Sequence, residues 1–237
     1  MIRYDLITKR YGALDGAELL APLIREVFPG RIALVSSFGT ESAVLLHMVS
    51  EAAPETPVVF LDTDKLFDET LRYRDELVAH LGLSDVRTVR PLAEAARAED
   101  AQGTLAQRAP DLCCHIRKVE PLERALRGFQ AWITGRKRFH GGERMALQRL
   151  EAVDWRLKVN PLASWPAEKI EDYMESHGLP RHPLEAQGYG SVGCMPCTSK
   201  PDPGGSARDG RWAGSAKTEC GIHWSANGKP IRVKRPA

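Results

Sequence analysis

Apolar residues recur along the chain with two periods, and the alternation between them divides it into successive strands and helices. Residues 31–37, RIALVSS, form a β-rich apolar run bounded by Pro29-Gly30 and Gly39, the pattern of a buried strand. In SAVLLHMVSEAA, Ala43, Leu46, Val49 and Ala53 fall at three-to-four spacing, which predicts a helix with one core-facing stripe. PVVFLDTD reads as a second strand, LFDETLRYRDELVAHLG as a second amphipathic helix with Gly82 as its stop, and VRTVRP as a third, short strand. A helix over roughly residues 16–28 precedes the first strand. AWITG gives a fourth strand, and WRLKVNPLASW with PAEKIEDYMESHG adds another strand and a helix that opens in the region of Ser164 to Glu168.

Strand, loop, helix, repeated, is the signature of an α/β fold with a mostly parallel sheet flanked by helices, in which ligands sit at the carboxyl ends of the strands. The loops after the strands are therefore where chemistry is expected. Beyond about Leu179 the character changes, with Pro, Gly and Ser dominating to residue 230. That predicts an irregular stretch held by ligands or substrate rather than by a core of its own. The expected division is an α/β domain over residues 1–178 and a loop-rich C-terminal segment over 179–237 packed on the same domain.

The bulk numbers narrow the possibilities. The 237 residues, 43% hydrophobic and 27% charged, are ordinary for a globular domain and exclude a disordered chain. No apolar run reaches the roughly 18 residues that a bilayer requires. The opening MIRYDLITKRYGALDG has charge but no apolar stretch of the secretory kind, so a cytoplasmic location is expected. A net charge of +2 is too small to argue for nucleic acid. The basic residues nevertheless bunch, in RKRFH, around Arg208 and Arg211, and in the tail IRVKRPA.

SSFGTES follows a strand and opens a helix, so its backbone N–H groups, the Ser36, Ser37 and Thr40 hydroxyls and the helix dipole suit an anion, with Gly39 permitting close approach. It is neither a Walker A loop nor G-x-G-x-x-G. Alone it reads equally as an ordinary strand-to-helix turn. Arg136, Lys137, Arg138 and Arg144 form a basic loop after the fourth strand, suited to cover a nucleotide or simply to be solvated.

Five cysteines fall as four plus one: Cys113 and Cys114 side by side, Cys194 and Cys197 in a C-x-x-C, and Cys220 alone. In a reducing compartment such spacings favour ligands or reactive thiols over a disulfide framework. Adjacent helical positions diverge by about 100°, which makes it hard for both to bind one small tetrahedral ion. A cubane with four separate irons relaxes that demand, so a 4Fe-4S cluster is favoured over zinc, with structural cysteines or a stress-formed disulfide as the remaining possibility. Arg117 and Lys118, one turn on, can donate toward cluster sulfide or an anionic substrate, or lie on a solvated face. In ECGIHW, Cys220 stands in a Gly-containing turn with His223 three residues on, a setting for a nucleophilic thiol activated by nearby cations. Arg208 and Arg211 in SARDGRW present two guanidinium forks suited to sulfate or phosphate.

Taken with LDTD at the end of the next strand, the SSFGTES loop resembles the nucleotide site of the adenine-nucleotide alpha-hydrolase-like (PP-loop-like) superfamily. In order, SSFGTES, LDT, CCHIRK, ITGRKR, GCMPCT and ECGIH resemble the adenylyl-sulfate and phosphoadenylyl-sulfate reductase family, in its cluster-bearing branch, over residues 31 to 223. The resemblance implies thioredoxin-dependent reduction of adenosine 5'-phosphosulfate (APS) to sulfite and AMP in assimilatory sulfate reduction. Cys220 is then the nucleophile that forms a cysteine S-sulfonate. Cys113, Cys114, Cys194 and Cys197 are the cluster ligands; Lys118, Arg208, Arg211 and His223 surround the sulfate; Ser36, Ser37, Gly39, Leu61 and Arg138 hold the nucleotide. The implied partners are APS and thioredoxin or glutaredoxin, with homo-oligomerisation left open and neither membrane nor nucleic acid expected.

Two positions depart from the family pattern: Asp64 stands where many members have Gly in LDTG, and RKR differs in its arginine order. The alternative substrate is 3'-phosphoadenylyl sulfate, alone or beside APS. The alternative of another class is a metal-stabilised nucleotide- or nucleic-acid-binding module without redox catalysis. An adenylating RNA-thiolating enzyme would need an SGGxDS-type loop, and SSFGTES lacks its second glycine and aspartate.

Overall fold

The computed structural model describes residues 3–213, 217, 219, 221 and 222; Cys220 and His223 lie outside the described residues. Helix α1 (Tyr4–Tyr11) and α2 (Gly16–Pro22), the latter extended by a π turn over Leu23–Val27, lead into β1 (Ile32–Ser36) and α3 (Ser42–Ala52). Next come β2 (Val58–Leu61), α4 (Asp68–His80), β3 (Val86–Val89) and three short helices, α5 (Ala93–Asp100), α6 (Leu105–Arg108) and α7 (Pro110–Cys114). A π turn over His115–Val119 joins α7 to α8 (Glu120–Ala125), followed by β4 (Ala131–Thr134), β5 (Leu150–Val153), β6 (Arg156–Val159) and α9 (Ala167–Ser176).

The sheet runs in the order β3-β2-β1-β4-β6-β5. Every pairing is parallel except β5 with β6, with Leu34 opposite both Val58 and Ile133. This is the expected mostly parallel sheet. Strand β5 was not anticipated: only four residues long, it turns into β6 through Asp154, whose φ of 51° does the work usually signalled by Gly or Asn.

Alternation along each strand explains why β1, β2 and β4 carry apolar residues toward both faces. Ile32, Leu34, Val58, Phe60, Ala131 and Ile133 face one core with α2, α3, α4 and α9, whereas Ala33, Val59, Leu61 and Trp132 face a second with α8. Both faces are thus covered, as parallel sheets require, and each buried Leu, Ile or Phe contributes roughly 2 kcal/mol. Helix α4 stops as predicted at Gly82, with φ 61° and the Leu83 N–H donating back to the Val78 carbonyl at 3.1 Å. Among the described residues no helix is long and apolar enough to cross a membrane.

The order of the strands fixes where a ligand binds. From β1 the chain winds outward to β2 and β3 on one side, and β4 and β6 lie on the other. The crevice between β1 and β4 at their carboxyl ends is the switch point of the fold.

Candidate functional site

A cavity of about 210 Å³ opens at that point. It is lined by Ser36, Ser37, Gly39, Thr40 and Ser42 after β1, Leu61 and Thr63 after β2, and Thr134 to Lys137 after β4. The β1 loop is held in an unusual conformation. Phe38 has φ 47°, is fully buried, and packs edge-on against Phe60; its N–H donates to the Ser36 Oγ at 3.2 Å. At Gly39 a Cβ would lie 3.3 Å from the Val192 carbonyl, and the Thr40 hydroxyl donates to the Gly190 carbonyl at 3.3 Å. These contacts dock the C-terminal segment on the loop.

Cationic side chains dominate the rest of the wall: Lys118, Arg136, Lys137, Arg144, Arg208 and Arg211. Glu41 balances part of this charge. Its Oε2 accepts from the buried Lys137 Nζ at 2.5 Å. Against the upward push of burial, Lys137 and His140 hold Glu41 at about 2. His140 is lowered by burial, and its Nδ1 lies 3.1 Å from Arg144 Nη1. A guanidinium only donates, so Nδ1 accepts and the ring proton sits on Nε2, facing Glu41. Arg138 does not line the cavity; its Nε donates to the Leu147 carbonyl at 2.8 Å. The neighbours Arg136, Lys137, His140 and Arg144 line it instead.

Three of these cysteines, Cys113, Cys194 and Cys197, share one neighbourhood beside this wall, and Cys114 adjoins Cys113 in sequence. Cys113 and Cys114 end α7 and are buried; Cys194, buried, precedes a single 3-10 turn that the half-buried Cys197 closes. Cys113 and Cys197 share an apolar patch with Leu105, Ala106 and Ile116. Burial, opposed by Arg117 and reinforced by Cys194 and Cys197, pushes the Cys113 thiol up to about 11, and burial with the Cys194 charge raises Cys197. Burial would raise Cys194 too, but Lys118, the Thr63 hydroxyl at 3.2 Å and Arg211 bring it below its ordinary value. Cys113, Cys194 and Cys197 thus sense one another's charge, and Cys194 lines the cavity together with Lys118. Among the described residues no group of three or more His, Cys, Asp or Glu side chains is set to hold a metal ion. As a donor set, four thiols with cations alongside suit an anionic iron–sulfur cluster.

Arg117 has a further task besides its effect on the Cys113 thiol. Its guanidinium is buried, donates to the Thr63 carbonyl at 2.9 Å and pairs with the buried Asp100 at 2.8 Å, tying the β2 loop to the cysteine-bearing helix. Asp64, the departure from LDTG, adopts φ 56°, the conformation a glycine would supply, and its carboxylate lies 3.7 Å from Arg117. It does not line the cavity.

Arg208 and Arg211 both lie over the ring of Trp212, at 5.9 and 4.7 Å. Arg211 also donates to the Cys197 carbonyl at 3.2 Å and packs on Gly193. Trp212 is itself buried, with an indole N–H that meets no acceptor among the described residues. Sequence reasoning passed over Phe38, Glu41, Thr63, Gly193, Trp212 and Glu219. Only Gly193, directly before the C-x-x-C, offered a local signal.

Residues 31–200 match the phosphoadenosine phosphosulfate reductase domain. An adenosine 5'-phosphosulfate reductase of Mesorhizobium japonicum is 52% identical over 91% of this chain and 85% of its own length. One from a Chelativorans species is 49% identical over 90% and 88%. In three dimensions, the crystal structure of phosphoadenylyl-sulfate reductase from Candida auris in its phosphate complex superposes with a TM-score of 0.69 at 24% identity, over 82% of this chain and 96% of that one. That likeness is one of fold, a mostly parallel sheet flanked by helices as expected from the strand and helix pattern.

Proposed function

The chain belongs to the phosphoadenosine phosphosulfate reductase domain family, and on that premise we propose that it reduces APS to sulfite and AMP in assimilatory sulfate reduction, with electrons from a thioredoxin- or glutaredoxin-type dithiol. The observation that supports this most is the meeting, at the β1/β4 switch point, of a phosphate-type loop with a wall of cations and the Cys194 thiol. A phosphosulfate anhydride needs just these two halves: one to hold the adenylate phosphate and one to screen the sulfuryl group from an approaching thiolate.

In this reading Ser36, Ser37, Gly39 and Leu61 receive the nucleotide, and Lys118, Arg208 and Arg211 receive the sulfate. His223 remains a proposed contact of the sulfate and lies outside the described residues; Arg138, hydrogen-bonded to the Leu147 carbonyl and away from the cavity lining, acts on the nucleotide in this reading only by stiffening the basic loop. The Cys220 thiolate attacks the sulfuryl sulfur; an S–S bond forms, the S–O bond breaks, and the electron pair leaves with the AMP phosphate. One thiol of the donor then attacks Cys220 and expels sulfite, and its second thiol resolves the mixed disulfide. The dithiol is oxidised by two electrons and sulfur is reduced by two.

Cys113, Cys114, Cys194 and Cys197 would hold a 4Fe-4S cluster, which when bound supplies a structural and electrostatic anchor next to the sulfate-binding cations. Lys118 links the two, facing both Cys194 and the cavity. Thiols of this kind and a dithiol donor support a reducing, cytoplasmic setting in this reading.

Substrate choice is tested by comparing kcat/KM for APS and for its 3'-phosphorylated form. APS is the better substrate in this account, and a preference for the 3'-phosphorylated form would overturn that assignment.

A further inference from the structure

The residue before Cys220 is held more firmly than any substrate contact so far described requires. The Glu219 carboxylate forks onto Arg144, with Nε to one oxygen and Nη2 to the other at 2.9 Å, and Arg208 lies 3.7 Å away. The Glu219 side chain is only 11% exposed. Two bonds from one planar guanidinium fix orientation as well as distance. Arg144 is itself braced, because its Nη1 donates to His140, which faces Glu41 of the β1 loop. A continuous polar chain therefore runs from the phosphate-type loop to the tail. On the far side of Cys220, Gly221 takes φ 75° and Ile222 packs on the apolar cluster of Leu122 and Trp132.

We propose that Glu219 is a positioning residue for thiol transfer: its carboxylate, forked on Arg144 and backed by Arg208, fixes the tail so that the adjoining Cys220 is presented to the anion cavity. This rests on the reading of Cys220 as the nucleophile. A thiolate must meet the sulfuryl sulfur in line with the leaving oxygen, and small misplacements of a reacting group cost rate rather than affinity. The described residues on either side of Cys220 supply one polar anchor, at Glu219, and one apolar anchor, at Ile222.

The test uses the full-length, cluster-loaded protein with APS and no dithiol. The rate of S-sulfonate formation is followed at saturating APS by mass spectrometry, and AMP affinity by equilibrium binding. Glu219→Gln should slow S-sulfonation by about tenfold to a hundredfold while AMP affinity stays unchanged. Glu219→Asp, which keeps the charge, should recover part of the rate. In an Arg144→Gln background, Glu219→Gln should add little further, because the fork is already broken. An unchanged rate in Glu219→Gln overturns the proposal. So does tighter APS binding without loss of rate, which would make the carboxylate a competitor of the substrate for Arg144 and Arg208. If the unaltered protein forms no S-sulfonate at all, the underlying reading fails and the proposal with it.

Discussion

The rings of Phe38 and Phe60 meet edge to face with centroids 5.3 Å apart, so that the core of the sheet holds a left-handed residue in the middle of the β1 loop. For a non-glycine residue that backbone conformation costs roughly 1–2 kcal/mol. Burial of the Phe38 ring offsets the cost, and the loop keeps the shape in which Ser36, Ser37 and Gly39 line the cavity.

Replacing the ring removes the brace and leaves the strain. Phe38→Ala is expected to destabilise the fold by about 3–5 kcal/mol and to weaken AMP binding. Urea unfolding and calorimetric titration with AMP measure the two effects. Lost stability with intact AMP affinity would show that the ring serves only the core.

Gly193 controls Arg211 by having no side chain. A Cβ there would stand 2.3 Å from Arg211 Nη2 and 2.7 Å from its Cζ, so the guanidinium must swing away. Gly193→Ala should raise KM for APS about tenfold, the loss of one charge-assisted contact. Stability should change by less than about 1 kcal/mol, since only the end of a flexible side chain is displaced. A KM equal to that of the unaltered protein would remove Arg211 from the sulfate site.

Much of this architecture was legible because it is periodic. Ile32, Leu34, Val58 and Phe60 alternate with Ala33 and Val59 in runs too short for helices, and Gly82 stops α4 where a glycine is needed. The cysteine spacing singled out thiols that the fold buries or half-buries, with Arg117 and Lys118 acting on their charge. What escaped lacks a local signature. Strand β5 is four residues closed by Asp154, not by glycine. Glu41 and Glu219 matter through partners 96 and 75 residues away, Lys137 and Arg144, pairings that the fold alone creates. Arg117 acts on the Cys113 thiol as its position suggested, but its pair with the buried Asp100 had no signal in the sequence.

His182 makes stability depend on pH. It is buried, its Nδ1 accepts from the Leu184 N–H at 3.2 Å, and its Nε2 lies 3.1 Å from the Thr70 hydroxyl, so the ring is neutral with its proton on Nε2. Burial lowers its pKa from 6.5 to about 4. The unfolded chain therefore binds this proton first: the stabilisation is complete above pH 6.5 and is lost as pH falls toward 4. The full loss is on the order of 3 kcal/mol. Unfolding free energies measured between pH 8 and pH 4 should fall less steeply in His182→Gln; parallel curves would rule out His182 as the source.

Anaerobically purified protein should be brown, with iron and acid-labile sulfide at about four each per chain. Cys197→Ser should lose most of both, because the remaining three thiols leave one iron without its ligand. Stoichiometric zinc with no iron in the unaltered protein would replace the cluster by a zinc site.

The central claim, that Cys220 takes the sulfonate from APS, is tested by incubating reduced protein with APS without a dithiol and mapping the product by mass spectrometry. The account predicts one sulfonate adduct, on the peptide containing Cys220, formed together with AMP, removed by thioredoxin and absent from Cys220→Ser. AMP binding without an adduct, or an adduct that persists in Cys220→Ser, would contradict it.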